Sequence, residues 1–256
     1  MTKSNNVYAI CNAMCYVVCC VILLWLGMIS SGHSMGLRSF VALPVEKDGA
    51  VIRFVYEHVK ASDTASENSE RLIANVAYGL SAKQTLLLGL PYRLSPSGSD
   101  RQGDVSVLYR HIVWQNDRFS GTDRLGLLAG VIAPTESDRD AAVQAGFVFT
   151  HFKNRQEIDV DVLYQAGMND RKNSARYDVS WQFRLLPSER ADWGLTPELN
   201  SVLELNGRWL EGNRTVHQLT IGLQWIHQQW VLEGGIAKDI SNGHGSRYIM
   251  STRFHF

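Results

Sequence analysis

Beyond position 20 the chain has no cysteine; Cys11, Cys15, Cys19 and Cys20 are the four it contains. Without its leader it would have no thiol, no disulfide and no cysteine metal ligand, which suits passage through an oxidising compartment. Charge of one sign is also missing. Lys and Arg number 25 against 25 Asp and Glu, so nothing global points to nucleic acid or to an acidic partner. After the leader no apolar run approaches the roughly 20 residues of a spanning helix, and mean hydropathy is −0.13. Only strands could carry this chain through a bilayer. A Gly-rich phosphate loop, a nucleotide fingerprint and a basic-aromatic stripe are lacking too, so neither a cofactor nor a nucleic-acid partner is expected.

What is present begins with a leader. Lys3 precedes an apolar stretch from Tyr16 to Leu26, and the small residues Ser30, Ser31, Gly32 and Ser34 follow. Residues 1–34 read as a signal peptide cleaved at Gly32 or Ser34, the competing reading being an uncleaved anchor. Met14, Val18 and Cys19 stand before three of the cysteines, where a lipoprotein signal needs a small residue. Removing the leader takes away Lys3 and leaves a formal charge of −1.

From Ala50 to Phe256 the sequence falls into twelve alternating segments of about ten residues. In the first, Ile52, Phe54 and Tyr56 oppose Arg53 and Glu57; in the last, Arg247–Phe256, Tyr248, Met250, Thr252, Phe254 and Phe256 oppose Arg247, Ser251, Arg253 and His255. Short turns (81–84, 153–156, 228–229) alternate with polar loops (61–69, 95–102, 169–174, 238–244). A soluble protein seldom finishes on a bare apolar strand, because an unpaired edge invites aggregation. A closed membrane barrel pairs its last strand with its first. Aromatics recur near strand ends (Tyr56, Tyr78, Tyr92, Tyr109, Tyr164, Tyr177, Trp209, Trp225, Trp230, Tyr248), as in an interfacial girdle. A soluble sandwich or lipocalin-type barrel also alternates, but here nearly every segment has a charge on its polar face. The fold expected is all-β: a twelve-stranded antiparallel transmembrane barrel of the outer-membrane type over 50–256. Residues 35–49 form a short periplasmic segment that enters the lumen, and both chain ends lie on the periplasmic side. The long connector 186–197 breaks the rule of short periplasmic turns, as a helical turn or a plug of the lower rim would.

More specific strings recur in order: Tyr78-Gly79-Leu80-Ser81, Leu88-Gly89-Leu90-Pro91-Tyr92, Gly103-Asp104 with Tyr109-Arg110, Gly130 with Pro134-Thr135, and Leu219 to Trp225. In these the chain resembles the outer-membrane family called "meta-pathway of phenol degradation", whose members are described as transporters. Arg101-Gln102 depart from the Gly-hydrophobic pair expected before Gly103-Asp104. The resemblance implies a barrel and passage of small solutes, among them aromatic or hydrophobic compounds. It brings no functional residues. By resemblance to barrels that end this way, Tyr248, Phe254 and Phe256 present the assembly signal to the insertion machinery.

The polar faces supply the lumen-lining candidates: Arg53, Glu57, Arg71, Arg93, Asp104, Arg110, Asp159, Asp161, Asp178, Arg184, Glu204, Arg208, Glu233, Arg247 and Arg253. Eight arginines against seven acids suit either a ladder of ion pairs bracing a narrow barrel or a charged constriction. No catalytic group is expected. The enzyme reading, an outer-membrane lipid hydrolase, would need Ser106 near His111, or a serine near His58 or His151. His217 with His227, and His244 with Asp239, lack metal-ligand spacing on one face. The expected partners are outer-membrane lipids, the insertion machinery and an unidentified small solute, and the expected function is an outer-membrane channel. A structural or surface-interaction barrel with a closed lumen is the alternative.

Overall fold

The computed structural model describes residues 36–60, 68–98, 100–189, 196–242 and 245–256. Residues 1–35, with the four cysteines and the expected cleavage site, lie outside the described residues, as do residues 190–195 of the 186–197 connector.

Twelve strands follow one another: β1 (Ala50–Lys60), β2 (Ser69–Ser81), β3 (Gln84–Ser95), β4 (Val105–Arg118), β5 (Gly121–Ala133), β6 (Ala142–Lys153), β7 (Gln156–Gly167), β8 (Ser174–Leu186), β9 (Glu198–Leu210), β10 (Val216–His227), β11 (Trp230–Ser241) and β12 (Ser246–His255). Each pairs antiparallel with the next, and β1 pairs with β12 from Val51↔His255 to Lys60↔Ser246, closing the barrel. The sequence expectation of a twelve-stranded antiparallel barrel holds.

The face assignment follows from the period of two. Outward positions are apolar and open, with Ile221, Leu223, Ile236 and Met250 all more than half exposed. Inward positions hold the buried polar groups, among them Asp159, Asp178, Glu204, Asn206 and Gln224. A soluble protein buries the opposite set. Aromatics gather at both ends of the outer wall, with Trp225 and Trp230 edge to face at 5.2 Å at the end of the two-residue turns. In those turns Asn154 and Gln228 take positive φ (56° and 52°).

Two boundaries differ from the sequence reading. The alternation of Val105, Val107 and Tyr109 against Asp104, Ser106 and Arg110 is legible only as far as Arg110, yet β4 continues to Arg118. Val113 is an extra residue between the pairs Ile112↔Gly126 and Trp114↔Leu125, and this bulge breaks the alternation on which the reading relied. Lys238 to Ser241 were expected in a loop because they are polar, but they extend β11, with Lys238 opposite Leu219 and Ser246.

Candidate functional site

Eight-stranded barrels are just filled by their own side chains, and the interior widens with strand number. In this twelve-stranded barrel the chain's own residues 36–43 lie inside, against inward-facing wall side chains. The segment enters at the turn end. There the Asp48 N–H donates to the Gly79 carbonyl at 2.8 Å, and the Gly79 N–H donates to the Gly49 carbonyl at 3.0 Å. Gly79 is required at this crossing, because a Cβ there would lie 1.9 Å from the Glu46 carbonyl oxygen.

Inside, the segment is held mainly by its peptide groups. The N–H groups of Arg38, Phe40 and Ala42 donate to Glu204 (3.2 Å), Asp161 (2.8 Å) and Thr150 (2.8 Å). The Leu37 carbonyl accepts from Arg53 at 2.6 Å, the Leu43 carbonyl from Arg110 at 2.8 Å, and the Val41 carbonyl also from Arg110. Anionic or hydroxyl acceptors from β6, β7 and β9 meet the N–H groups, and guanidiniums from β1 and β4 meet the carbonyls. Side chains add to this grip. Leu37 is buried over the facing pair Gly222 and Gly235, where an added Cβ would come within 2.4 and 2.6 Å of its Cδ1. Ala42 packs with Leu108, Ile112, Leu128, Val148 and Leu163, against which Phe40 and Leu87 also lie.

All fifteen lumen candidates stand on inward-facing positions, and the structure divides them into several groups. Arg53 and Arg253 both meet Glu233 at 2.6 Å. Arg71 and Arg247 both meet Glu57, at 2.5 and 3.1 Å. Arg208 meets Asp178 at 2.7 Å, and Arg184 reaches Glu198 at 3.6 Å. Asp104 is gripped by connector residues, Arg139 at 3.1 Å and Arg171 at 2.6 Å. Arg93 donates to the Asp100 carbonyl. Arg110, Asp161 and Glu204 serve the inner segment, and Asp159 accepts from Thr150 (2.6 Å) and Gln182 (2.9 Å).

Sequence reasoning missed Arg38, Phe40, Thr150 and the inward apolar cluster. One signal was available: Leu108, Ile112, Leu128, Val148 and Leu163 occupy polar-face positions on adjacent strands.

The hydrolase geometry does not form. Ser106 points inward and donates to Gln144 at 3.0 Å, whereas His111 points outward beside the Tyr109 hydroxyl at 3.4 Å. His58 pairs with Glu70 at 3.2 Å and His151 with Asp123, both on the outer wall. His217 lies against the Tyr177 hydroxyl at 2.7 Å, at the opposite end of β10 from His227; His244 lies outside the described residues. Tyr248 and Phe254 are exposed on the outer face. Phe256 exchanges backbone hydrogen bonds of 2.8 and 3.0 Å with Ala50.

No protein-family model matches the chain, and no curated protein is significantly similar to it. Among solved structures it is similar to an outer membrane channel from Pseudomonas putida F1, with a TM-score of 0.52 and 16% identity over 87% of this chain and 100% of that one. The KdgM porin in complex with disordered oligogalacturonate gives a TM-score of 0.49 and 9% identity over 80% and 99%. The first of these likenesses shows the fold, that of an outer-membrane β-barrel.

Proposed function

We propose that the chain is an outer-membrane channel for passive passage of small solutes, with residues 36–43 as the constriction inside it. The observation that carries this is how the lumen is filled. A barrel built only to be rigid can pack its interior with wall side chains, but this one holds a separate irregular segment, bent at Leu37 and Arg38. That segment is seated largely by hydrogen bonds from peptide groups to wall side chains, contacts that water can replace. The channel reading for the Pseudomonas putida protein has the same direction.

Finer parts of the reading rest on the sequence. The chain would be exported through a cleaved leader, belong with the meta-pathway of phenol degradation family, and sit among outer-membrane lipids. It would be inserted by machinery that recognises Tyr248, Phe254 and Phe256, and it would be a non-enzyme. The separation of Ser106 from His111 by the barrel wall supports that last point.

Planar-bilayer recording is the test. The full chain is expected to give small discrete conductance steps, and a variant lacking 36–43 larger ones. If neither conducts, the closed structural barrel becomes the better reading.

A further inference from the structure

The lumen charges are numerically near balance but unevenly exposed. At the loop end, Arg71, Arg247, Arg208 and Arg176 lie on the inner wall of an arc running from β2 through β1, β12, β11, β10 and β9 to β8. Their side chains retain 41, 17, 28 and 25% of their accessible surface, whereas the partners Glu57 and Asp178 retain 4 and 0%. The carboxylates sit behind the guanidiniums, and each is ion-paired with two of them. Glu57 takes Arg71 and Arg247, while Asp178 takes Arg208 at 2.7 Å and Arg176 at 3.8 Å. The inner segment adds Arg38, which donates to Gln218 from below. It also adds the partly exposed ring of Phe40, over which Arg176 lies at 4.3 Å.

A solute entering this end therefore meets guanidinium edges, with the half-buried Phe40 ring beneath Arg176 and one half-buried carboxylate, Asp239 of β11, bonded to Gln218 in the same arc. Each arginine has five N–H donors in a planar fork, so donors remain after its buried partner is satisfied. That combination is complementary to a small organic carboxylate, whose oxygens accept from guanidinium pairs and whose hydrocarbon part can lie against Phe40.

We infer that the loop-end cup of the barrel is a recognition site for small carboxylate-bearing solutes, held by Arg71, Arg208 and Arg247 with Arg176 and Phe40 beside them. This rests on the channel reading only for its biological sense; the binding can be measured without it.

The experiment titrates the detergent-solubilised full chain calorimetrically with benzoate, benzyl alcohol and benzylamine at low ionic strength. Benzoate is expected to bind, to weaken as salt is raised, and to lose about tenfold in affinity in R71Q/R208Q. The charge-retaining R71K/R208K should fall between the wild type and R71Q/R208Q, because an ammonium keeps the charge but not the planar fork. Benzylamine is expected to give no binding. Heat-modifiable migration on gels shows whether each variant is folded, and if the double Gln variant is not, the single variant R176Q takes its place with a smaller loss expected. Benzoate binding no better than benzyl alcohol, or full binding in a folded Gln variant, overturns the inference. A bilayer arm separates the two claims. A barrel that binds benzoate without conducting removes the channel reading alone; one that conducts with no preference for benzoate over benzylamine removes this inference alone.

Discussion

Glu233 receives two guanidiniums at once. Arg53 of β1 reaches its Oε2 and Arg253 of β12 its Oε1, each at 2.6 Å. The fork ties three neighbouring strands together where the first strand meets the last. The Glu233 side chain is fully buried and Arg253 nearly so, so removing the carboxylate leaves two poorly solvated cations facing one another. Glu233→Ala is expected to destabilise the barrel by about 3–5 kcal/mol, read as a lower urea midpoint in micelles. Glu233→Gln should fall between it and the wild type. An unchanged midpoint in the Ala variant would show that the fork contributes nothing to closure.

The seat of Leu37 over Gly222 and Gly235 gives a prediction about opening. Burying a leucine side chain is worth about 1.5–3 kcal/mol, and a carboxylate in its place would give up that burial and carry a charge into the seat over Gly222 and Gly235. Leu37→Asp is expected to unseat the segment and raise single-channel conductance, leaving the urea midpoint of the wall close to wild type. Wild-type conductance in this variant would mean that the segment is not the constriction.

At the turn end, Gly79 allows the chain to pass within contact distance. An alanine Cβ would meet two backbone oxygens, those of Glu46 at 1.9 Å and Val45 at 2.7 Å, and neither can yield without moving residues 45–46. Gly79→Ala should loosen the entry, and limited trypsin digestion should cut after the exposed Lys47 several-fold faster. Equal cleavage rates would count against a tight crossing there.

On the outer wall Ile221 is 61% exposed in the middle of β10. If lipid covers that face, Ile221→Arg should cost about 2–4 kcal/mol in vesicles, against about 0–1 for Tyr248→Arg near the rim. The comparison is made by urea unfolding from lipid vesicles. Equal costs at the two depths would argue against a bilayer around the barrel.

Much of the wall was legible because membrane strands repeat a simple rule. Phe54 against Arg53, Leu205 against Glu204 and Trp181 against Gln182 each give the face directly, and turn residues mark the ends. The rule failed where a backbone irregularity shifted the phase, at Val113, and where polar residues extended a strand, at Lys238 and Asp239. The interior was less legible for a different reason. Inward charges such as Arg110 and Asp161 could be assigned to the lumen, but their partners are peptide groups of residues 40–43, and every sequence has those. Pairing Arg110 with a carboxylate was the natural expectation from charge balance; a carbonyl partner leaves no trace in composition.

Because three N–H groups and three carbonyls carry most of the polar grip on residues 37–43, the wall recognises a peptide's direction and extension more than its spelling. Substitutions at 39, 41 and 43 that keep bulk similar should therefore be tolerated.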